Sequence, residues 1–153
     1  MKNDDRTVNE IRKFNRFYTV HMGFLDLGYL DSDYSIAETR ILFEIKMRET
    51  CIQSDIVKIL RIDKSYLSRL IGRLCKKGLI EKTKAENDKR AFEVTLTATG
   101  HMETDRLIAL TNSQIELQIK ELDSDEREKL CHALNTVTTI LGKGNTSYEH
   151  NTI

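Results

Sequence analysis

Apolar residues recur at steps of three and four near the start of the chain. The spacing predicts a helix over about residues 8–28, with one apolar stripe made of Ile11, Phe14, Tyr18, Met22 and Leu25. Phe17 and Phe24 widen that stripe beyond a single face. We therefore expect this helix to pack against a partner subunit. The alternative is a helix wrapped by the rest of its own domain.

A second helix is predicted to run as far as Arg48, because Ser35 and Glu38 have the spacing of a capping box at its start. This helix contains no group of chemically reactive residues and is expected to act as a scaffold. The next helix is expected to begin between Thr50 and Ser54, where Thr50 and Gln53 also have capping spacing.

From residue 54 to residue 96 the pattern is that of a helix, a tight turn, a second helix and a two-stranded hairpin. Asp63 is a good N-cap for the second helix, which is predicted over Lys64–Lys77 and ends at Gly78. Two short strands, Leu79–Lys84 and Ala91–Leu96, enclose a charged tip. This order is typical of a winged helix-turn-helix, so the predicted fold is mainly α with a small β-hairpin wing. The winged helix-turn-helix forms a reading head over about residues 35–97.

Two further helices are predicted over about residues 101–142. Thr97 is placed to cap the first, and Asp123 and Glu126 form a capping-box pattern before the other. The segment has broad apolar surfaces and is acidic, with four Lys or Arg against eight Asp or Glu. It is therefore expected to pair with another copy of the chain. Residues 143–153 are expected to be disordered, and the 153 residues to form one domain.

Charge separates the reading head from the rest of the chain. The whole sequence is neutral, with 24 basic and 24 acidic residues, whereas residues 58–90 contain 11 Lys or Arg and only four Asp or Glu. A cationic segment on an otherwise acidic protein is typical of a surface that faces phosphates. A solvated helix face with incidental charges is the alternative.

The polar face of the predicted helix over residues 64–77 carries the candidate DNA-binding side chains Lys64, Ser65, Tyr66, Ser68, Arg69 and Arg73. Serine hydroxyls can reach phosphates or base edges, and arginine can donate two hydrogen bonds to guanine. At the hairpin tip, Lys84, Lys89 and Arg90 are placed to meet phosphates or a narrow minor groove. Asp88 is expected to brace the wing through an ion pair with Arg90.

Other classes of function have little support in the sequence. It contains no nucleophile–base–orienter set, glycine-rich phosphate loop or paired carboxylate site, so neither enzyme activity nor a cofactor is expected. The three cysteines lack metal-ligand spacing and the four histidines are far apart, so no metal site is expected. No apolar run fits a bilayer and no signal peptide is present, so the chain is expected to be cytoplasmic, with no membrane partner.

The cysteines leave one question open. Cys51 and Cys131 are expected to be small, buried apolar residues. Cys75 is flanked by Arg73 and Lys76, which can lower the pKa of its thiol, but helical spacing does not decide whether Cys75 is exposed.

Several short motifs resemble the MarR family of winged-helix transcription regulators. They are Ser68-Arg69-Leu70, Lys77-Gly78-Leu79-Ile80, the wing motif Asp88-Lys89-Arg90 and Leu96-Thr97-Ala98-Thr99-Gly100. The resemblance extends from the first helix to about Gly142. It implies a homodimer in which each recognition helix enters a major groove of double-stranded DNA at a pseudo-palindromic operator. Each wing then reaches toward the flanking minor groove.

The resemblance also implies how such a regulator is controlled. Many members release DNA when a small aromatic or phenolic effector binds between the dimer helices and the reading head. Phe17, Tyr18, His21 and Ile41 are the candidate lining residues, and a place in the packed core is the alternative for each. The expected function is a transcriptional repressor. The alternatives are a winged-helix protein–protein adaptor without DNA binding and a thiol-based redox-responsive regulator.

A narrower resemblance concerns proteins that fuse a MarR-type domain to a GNAT acetyltransferase. It rests on the runs Phe14-Asn15-Arg16-Phe17-Tyr18, Gly23-Phe24-Leu25, Glu38-x-Arg40-Ile41-Leu42 and Asp63-x-x-Tyr66-Leu67-Ser68-Arg69. This sequence contains no acetyltransferase half, so it is expected to stand alone or to have lost that half, and the resemblance implies no catalysis.

Overall fold

The structure is a computed structural model that describes residues 2–25, 32–86, 88 and 90–143. The elements of this part follow one another as α1 (Lys2–His21), α2 (Ile36–Arg48), β1 (Thr50–Ile52), α3 (Gln53–Leu60), α4 (Lys64–Lys76), β2 (Ile80–Lys84), β3 (Phe92–Leu96), α5 (Ala98–Ile119) and α6 (Ser124–Leu141). The mainly α fold with a hairpin wing is confirmed. No helix in the described ranges is long and apolar enough to cross a membrane.

Side-chain caps start α2, α5 and α6 where the sequence predicts them, as well as α4, whose cap is described with the recognition surface. At α2, the Glu38 backbone N–H donates to Ser35 Oγ at 3.2 Å, and Glu38 Oε2 accepts from the Ser35 N–H at 2.9 Å. Asp123 and Glu126 form the same reciprocal pair at α6. Thr97 Oγ1 accepts from the Gly100 N–H at 2.9 Å at the start of α5. These bonds join residues three apart in the chain, so a local pattern predicts them.

The start of α3 differs from the prediction. Thr50 does not cap this helix, because Thr50–Ile52 form strand β1, and α3 begins at Gln53 without a side-chain capping hydrogen bond. Strand β1 pairs antiparallel with β3, with Thr50 opposite Thr95. The sheet therefore has three strands in the order β1-β3-β2, and its third strand depends on a partner far along the chain.

The core of the reading head lies between α2, α4, the sheet and the first turns of α5. Its buried residues are Ile41, Leu42, Ile45, Cys51, Ile56, Leu67, Leu70, Ile71, Leu74, Leu79, Ile80, Val94, Leu96 and Leu107. Because α4 contributes four of them along one side, its opposite side is held facing outward.

Helices α1 and α6 stand apart from that core. Helix α1 begins at Lys2, before the predicted residue 8, and ends at His21; residues 26–28 of the predicted helix lie outside the described residues, as do residues 144–153 of the predicted tail. Large apolar side chains are exposed on both helices, including Val8, Ile11, Phe14, Phe17, Leu130, Leu134, Val137 and Ile140. The end of α1 is tied to α5 through Gln114 and Gln118, whose amides donate to backbone carbonyls at 3.2 and 2.9 Å.

Candidate nucleic-acid interface

The turn before α4 sets the direction of that helix. Arg61 ends α3 in the left-handed conformation, with φ of 51°, and Asp63 begins α4. The Asp63 carboxylate accepts hydrogen bonds from the backbone N–H groups of Ser65 and Tyr66 at 2.9 and 3.0 Å. The predicted N-cap is confirmed. It satisfies two of the free N–H groups at the positive end of the helix, where a negative charge is favourable.

The outer face of α4 presents the six side chains of this helix that the sequence predicts for DNA binding. Those residues are exposed: Lys64, Ser65, Tyr66, Ser68, Arg69 and Arg73. The guanidinium of Arg69 lies 5.8 Å from the centroid of the Tyr66 ring, within the range of a cation–π interaction. Tyr66 thus supports Arg69 on the outside of the helix while Leu67 and Leu70 are packed inside.

Arg73 has a partner that the sequence pattern did not suggest. Its Nε lies 3.4 Å from Oε1 of Glu38, the capping-box residue of α2. Glu38 is only 4% exposed, whereas the Arg73 side chain is 57% exposed. Arg73 therefore joins α4 to α2 and still faces solvent with much of its side chain.

The wing is braced by Asp88, but through the backbone. Asp88 Oδ1 accepts from the backbone N–H of Arg90 at 2.9 Å, and the Asp88 carbonyl accepts from the N–H of Ala91 at 2.9 Å. The predicted ion pair between Asp88 and the Arg90 guanidinium is wrong, because the carboxylate is used to close the turn. Lys84 is exposed near the wing tip, and Lys89 lies outside the described residues.

A cavity of about 580 Å³ lies between the start of α4, α3 and the wing. It brings together Lys64, Ser68, Asp88 and Arg90 of the predicted site. The other described members lie outside it: Ser65, Tyr66, Arg69, Arg73 and Lys84. Lys58 and Lys82 also line the cavity, although the sequence pattern did not single out these two cations. Lys82 lies over the ring of Phe92, with Nζ 4.1 Å from the ring centroid. Both lysines belong to the basic segment over residues 58–90, but a run of charges does not reveal which side chains converge.

The proposed effector residues do not form one group. Phe17 and His21 stack at the exposed end of α1, with ring centroids 5.0 Å apart, and Tyr18 stacks on Phe14 at 5.3 Å. Ile41 has 0% exposure and belongs to the core of the reading head. The prediction that Ile41 lines a ligand site is therefore wrong for this conformation, because its side chain is enclosed by packed apolar neighbours.

The cysteines also differ from expectation. Cys51 is buried as predicted, and burial raises the pKa of its thiol to about 11. Burial also raises the pKa of Cys75 and outweighs the opposing effect of Lys82, so the lowering suggested for Cys75 is wrong. Cys131 is exposed rather than buried, because no residue of α6 is buried in the part of the chain that the structure describes. In the described ranges, no three His, Cys, Asp or Glu residues are grouped to hold a metal ion.

Comparisons with known proteins concern both the sequence and the fold. Residues 32–91 match the model of the MarR family. The multiple antibiotic resistance protein MarR of Escherichia coli is 28% identical over 144 residues, which cover 90% of this chain and 99% of that protein.

Two solved structures have the same fold. A mutant MarR from Escherichia coli complexed with operator DNA is 25% identical, with a TM-score of 0.71 over 87% of this chain and 96% of that chain. The second is BpsR of Bordetella bronchiseptica, whose DNA binding is regulated by 6-hydroxynicotinic acid. It is 22% identical, with a TM-score of 0.68 over 86% of this chain and 98% of that chain. At that identity, the second likeness shows the fold alone.

Proposed function

We infer that this chain, whose reading head is a MarR-family winged helix, binds double-stranded DNA and regulates transcription. One observation carries the proposal: the start of α4 and the wing present cations to the same cavity, which is lined by Lys64 and Arg90 together with the hydroxyl-bearing Ser68. This is a surface on which a phosphate backbone can be neutralised at several points at once.

Each part of the surface has a separate role in this proposal. Helix α4 enters a major groove with its N-terminal end, where Ser65 and Ser68 reach phosphates or base edges and Arg69 binds a guanine. The wing carries Arg90 toward the minor groove, where the potential of DNA is most negative. The turn closed by Asp88 fixes the backbone at Arg90, which limits the positions that its side chain can take.

We propose a homodimer because α1 and α6 expose apolar side chains that the described part of the chain leaves uncovered. No residue of α6 is buried, although Leu130, Leu134 and Val137 follow helical spacing along one side. A second copy supplies a matching surface, since a twofold axis pairs the same patch on both subunits. Two reading heads at a fixed separation then bind a pseudo-palindromic operator. Sedimentation of the full chain is expected to give a dimer, and L134E with V137E is expected to shift it to monomer.

Control by a small aromatic effector is the finer part of the proposal. Its support is two pairs of stacked rings on α1, Phe17 with His21 and Phe14 with Tyr18, all exposed in the single chain. The end of α1 next to them is tied to α5 by the two glutamine bonds. A ligand there can favour one separation of the two heads over another. Repression rather than activation, and the likeness to the regulator half of acetyltransferase fusions, remain proposals that rest on motifs alone.

Selection of bound DNA from a random library tests the function. The expected winner is a sequence with twofold symmetry, because a symmetric dimer places two recognition helices about one helical turn apart or a multiple of it. Its affinity should fall steeply with salt through counterion release. Failure to enrich any sequence, together with salt-independent binding, would contradict the proposal and favour a protein–protein adaptor.

A further inference from the structure

Arg73 differs from the other cations on the outer face of α4. It is ion-paired to Glu38 at 3.4 Å, whereas Lys64, Arg69 and Lys76 form no ion pair with any carboxylate in the part of the chain that the structure describes. The pair connects the recognition helix to the first turn of α2. This ion pair is therefore specific to Arg73 and does not follow from the general basic character of α4.

Glu38 is a rigid anchor for this pair. Its Oε2 atom accepts from the backbone N–H and from the hydroxyl of Ser35, both at 2.9 Å. The side chain is almost completely buried, so these two bonds fix its position at the helix start. Its other oxygen, Oε1, is then held on the side of Arg73. A surface ion pair between two mobile side chains would lack this directional constraint.

The position of Arg73 along α4 indicates which part of DNA it meets. Arg73 follows Ser65 by eight positions, and a rise of 1.5 Å per residue places them ~12 Å apart along the helix axis. The major groove is about 8.5 Å deep. If α4 enters with its N-terminal end, Ser65 reaches the base edges while Arg73 lies at the level of the phosphates.

We propose that Glu38 is a positioning residue for DNA binding: it holds the Arg73 guanidinium in the orientation in which Arg73 contacts a DNA phosphate. The inference rests on the proposed function. An arginine that is already oriented loses less side-chain entropy when the phosphate arrives. Because Glu38 is buried and Arg73 is exposed, the phosphate meets the guanidinium and not the carboxylate.

The chain offers a matched pair of variants for the test. Glu38→Gln keeps an acceptor for the capping box, in which Glu and Gln are both accepted, but removes the charge that attracts Arg73. Glu126→Gln is the same substitution in the capping box of α6, which lies outside the reading head. The affinity for the selected operator is measured by fluorescence anisotropy over a range of salt for both variants, for Arg73→Ala and for the double variant E38Q/R73A. Thermal unfolding of each variant is recorded in parallel.

We expect E38Q to weaken operator binding by about three- to tenfold and E126Q to leave it unchanged. R73A should weaken binding by about tenfold and reduce the slope of log affinity against log salt by about two, because the dimer loses one phosphate contact in each subunit. In the R73A background, E38Q should have no further effect, since Glu38 acts through Arg73. The inference is overturned if E38Q binds the operator as tightly as the wild type. It is also overturned if E38Q lowers the affinity of R73A by the same factor as it lowers that of the wild type.

Arg73→Lys provides an independent measurement that does not depend on the stability of E38Q. Lysine keeps the charge but lacks the planar fork that Glu38 orients, so the salt slope should stay while the affinity falls by about threefold or more. Wild-type affinity in R73K would contradict the role of orientation. If the unaltered chain binds no DNA, the proposed function and this inference both fail, whereas normal binding in the altered chains refutes the inference alone.

Discussion

A Cβ atom on Gly100 would lie 2.0 Å from the carbonyl oxygen of Leu79. Thr97 closes the same junction, because its N–H donates to the Leu79 carbonyl at 3.0 Å and its hydroxyl donates to the Gly78 carbonyl at 2.6 Å. The first turn of α5 therefore lies directly on the connection between α4 and β2. This contact joins the reading head to α5, and it leaves no room for a side chain at position 100.

Gly100→Ala is expected to destabilise the protein. The added methyl group must push α5 away from the Leu79 backbone, which cannot move aside as a flexible side chain could. Overpacking of this kind costs about 1–3 kcal/mol in free energy of unfolding, and here at least the upper part of that range is expected. Urea unfolding followed by circular dichroism measures it. A variant as stable as the wild type would show that the junction is looser than described.

Gly72→Ala is expected to have the opposite effect. Gly72 lies within α4, and a Cβ atom there would have no neighbour within 4 Å. Alanine is favoured over glycine in a helix interior by about 1 kcal/mol, so the free energy of unfolding should rise by roughly that amount. The same urea titration compares the two glycine variants. Destabilisation by G72A would mean that the outer face of α4 is packed against something in the free protein.

The pKa of Cys51 predicts a loss of stability in alkaline solution. Burial raises that pKa from 9.0 to about 11, so the folded chain binds the thiol proton more tightly than the unfolded chain. The protonated Cys51 thiol makes its full contribution to the free energy of unfolding below pH 9. That contribution is lost as the pH rises toward 11, because the thiol ionises first in the unfolded chain. The difference in free energy of unfolding between wild type and C51A should fall over that interval.

Exposed Cys131 provides the control for this measurement, since C131A should follow the wild-type curve across the same pH interval. A constant difference between wild type and C51A from pH 8 to 11 would show that the thiol is hydrated in the folded chain.

The features that the sequence predicted correctly are local ones. The caps at Asp63, Thr97 and Ser35 depend on bonds across two or three residues, and the apolar spacing of α4 determines which face is buried. The wing was predictable because its two strands are close in the chain. The hydrogen-bond partner of the Asp88 carboxylate was not, because a carboxylate beside an arginine can bind either the side chain or the backbone of that arginine.

The features that were missed depend on distant parts of the chain. Strand β1 exists through its pairing with β3, and Arg73 faces Glu38 from a different helix. Ile41 was given a ligand role because a stripe of apolar residues does not distinguish a cavity wall from a filled core. Cys131 was expected to be buried because helical spacing does not say whether an apolar surface is covered within one chain or by a second copy.

The central claim is that the outer face of α4 and the wing bind DNA together, and the double variant R69A/R90A tests it most directly. A good base contact is worth about 1–3 kcal/mol, so losing both arginines should weaken operator binding by several kcal/mol at fixed salt. K120A/K129A removes two positive charges from exposed positions outside the reading head and should bind as the wild type does. Anisotropy titrations of the three proteins at equal salt decide the matter. A loss confined to R69A/R90A is the predicted result, and unchanged binding by R69A/R90A would contradict the account.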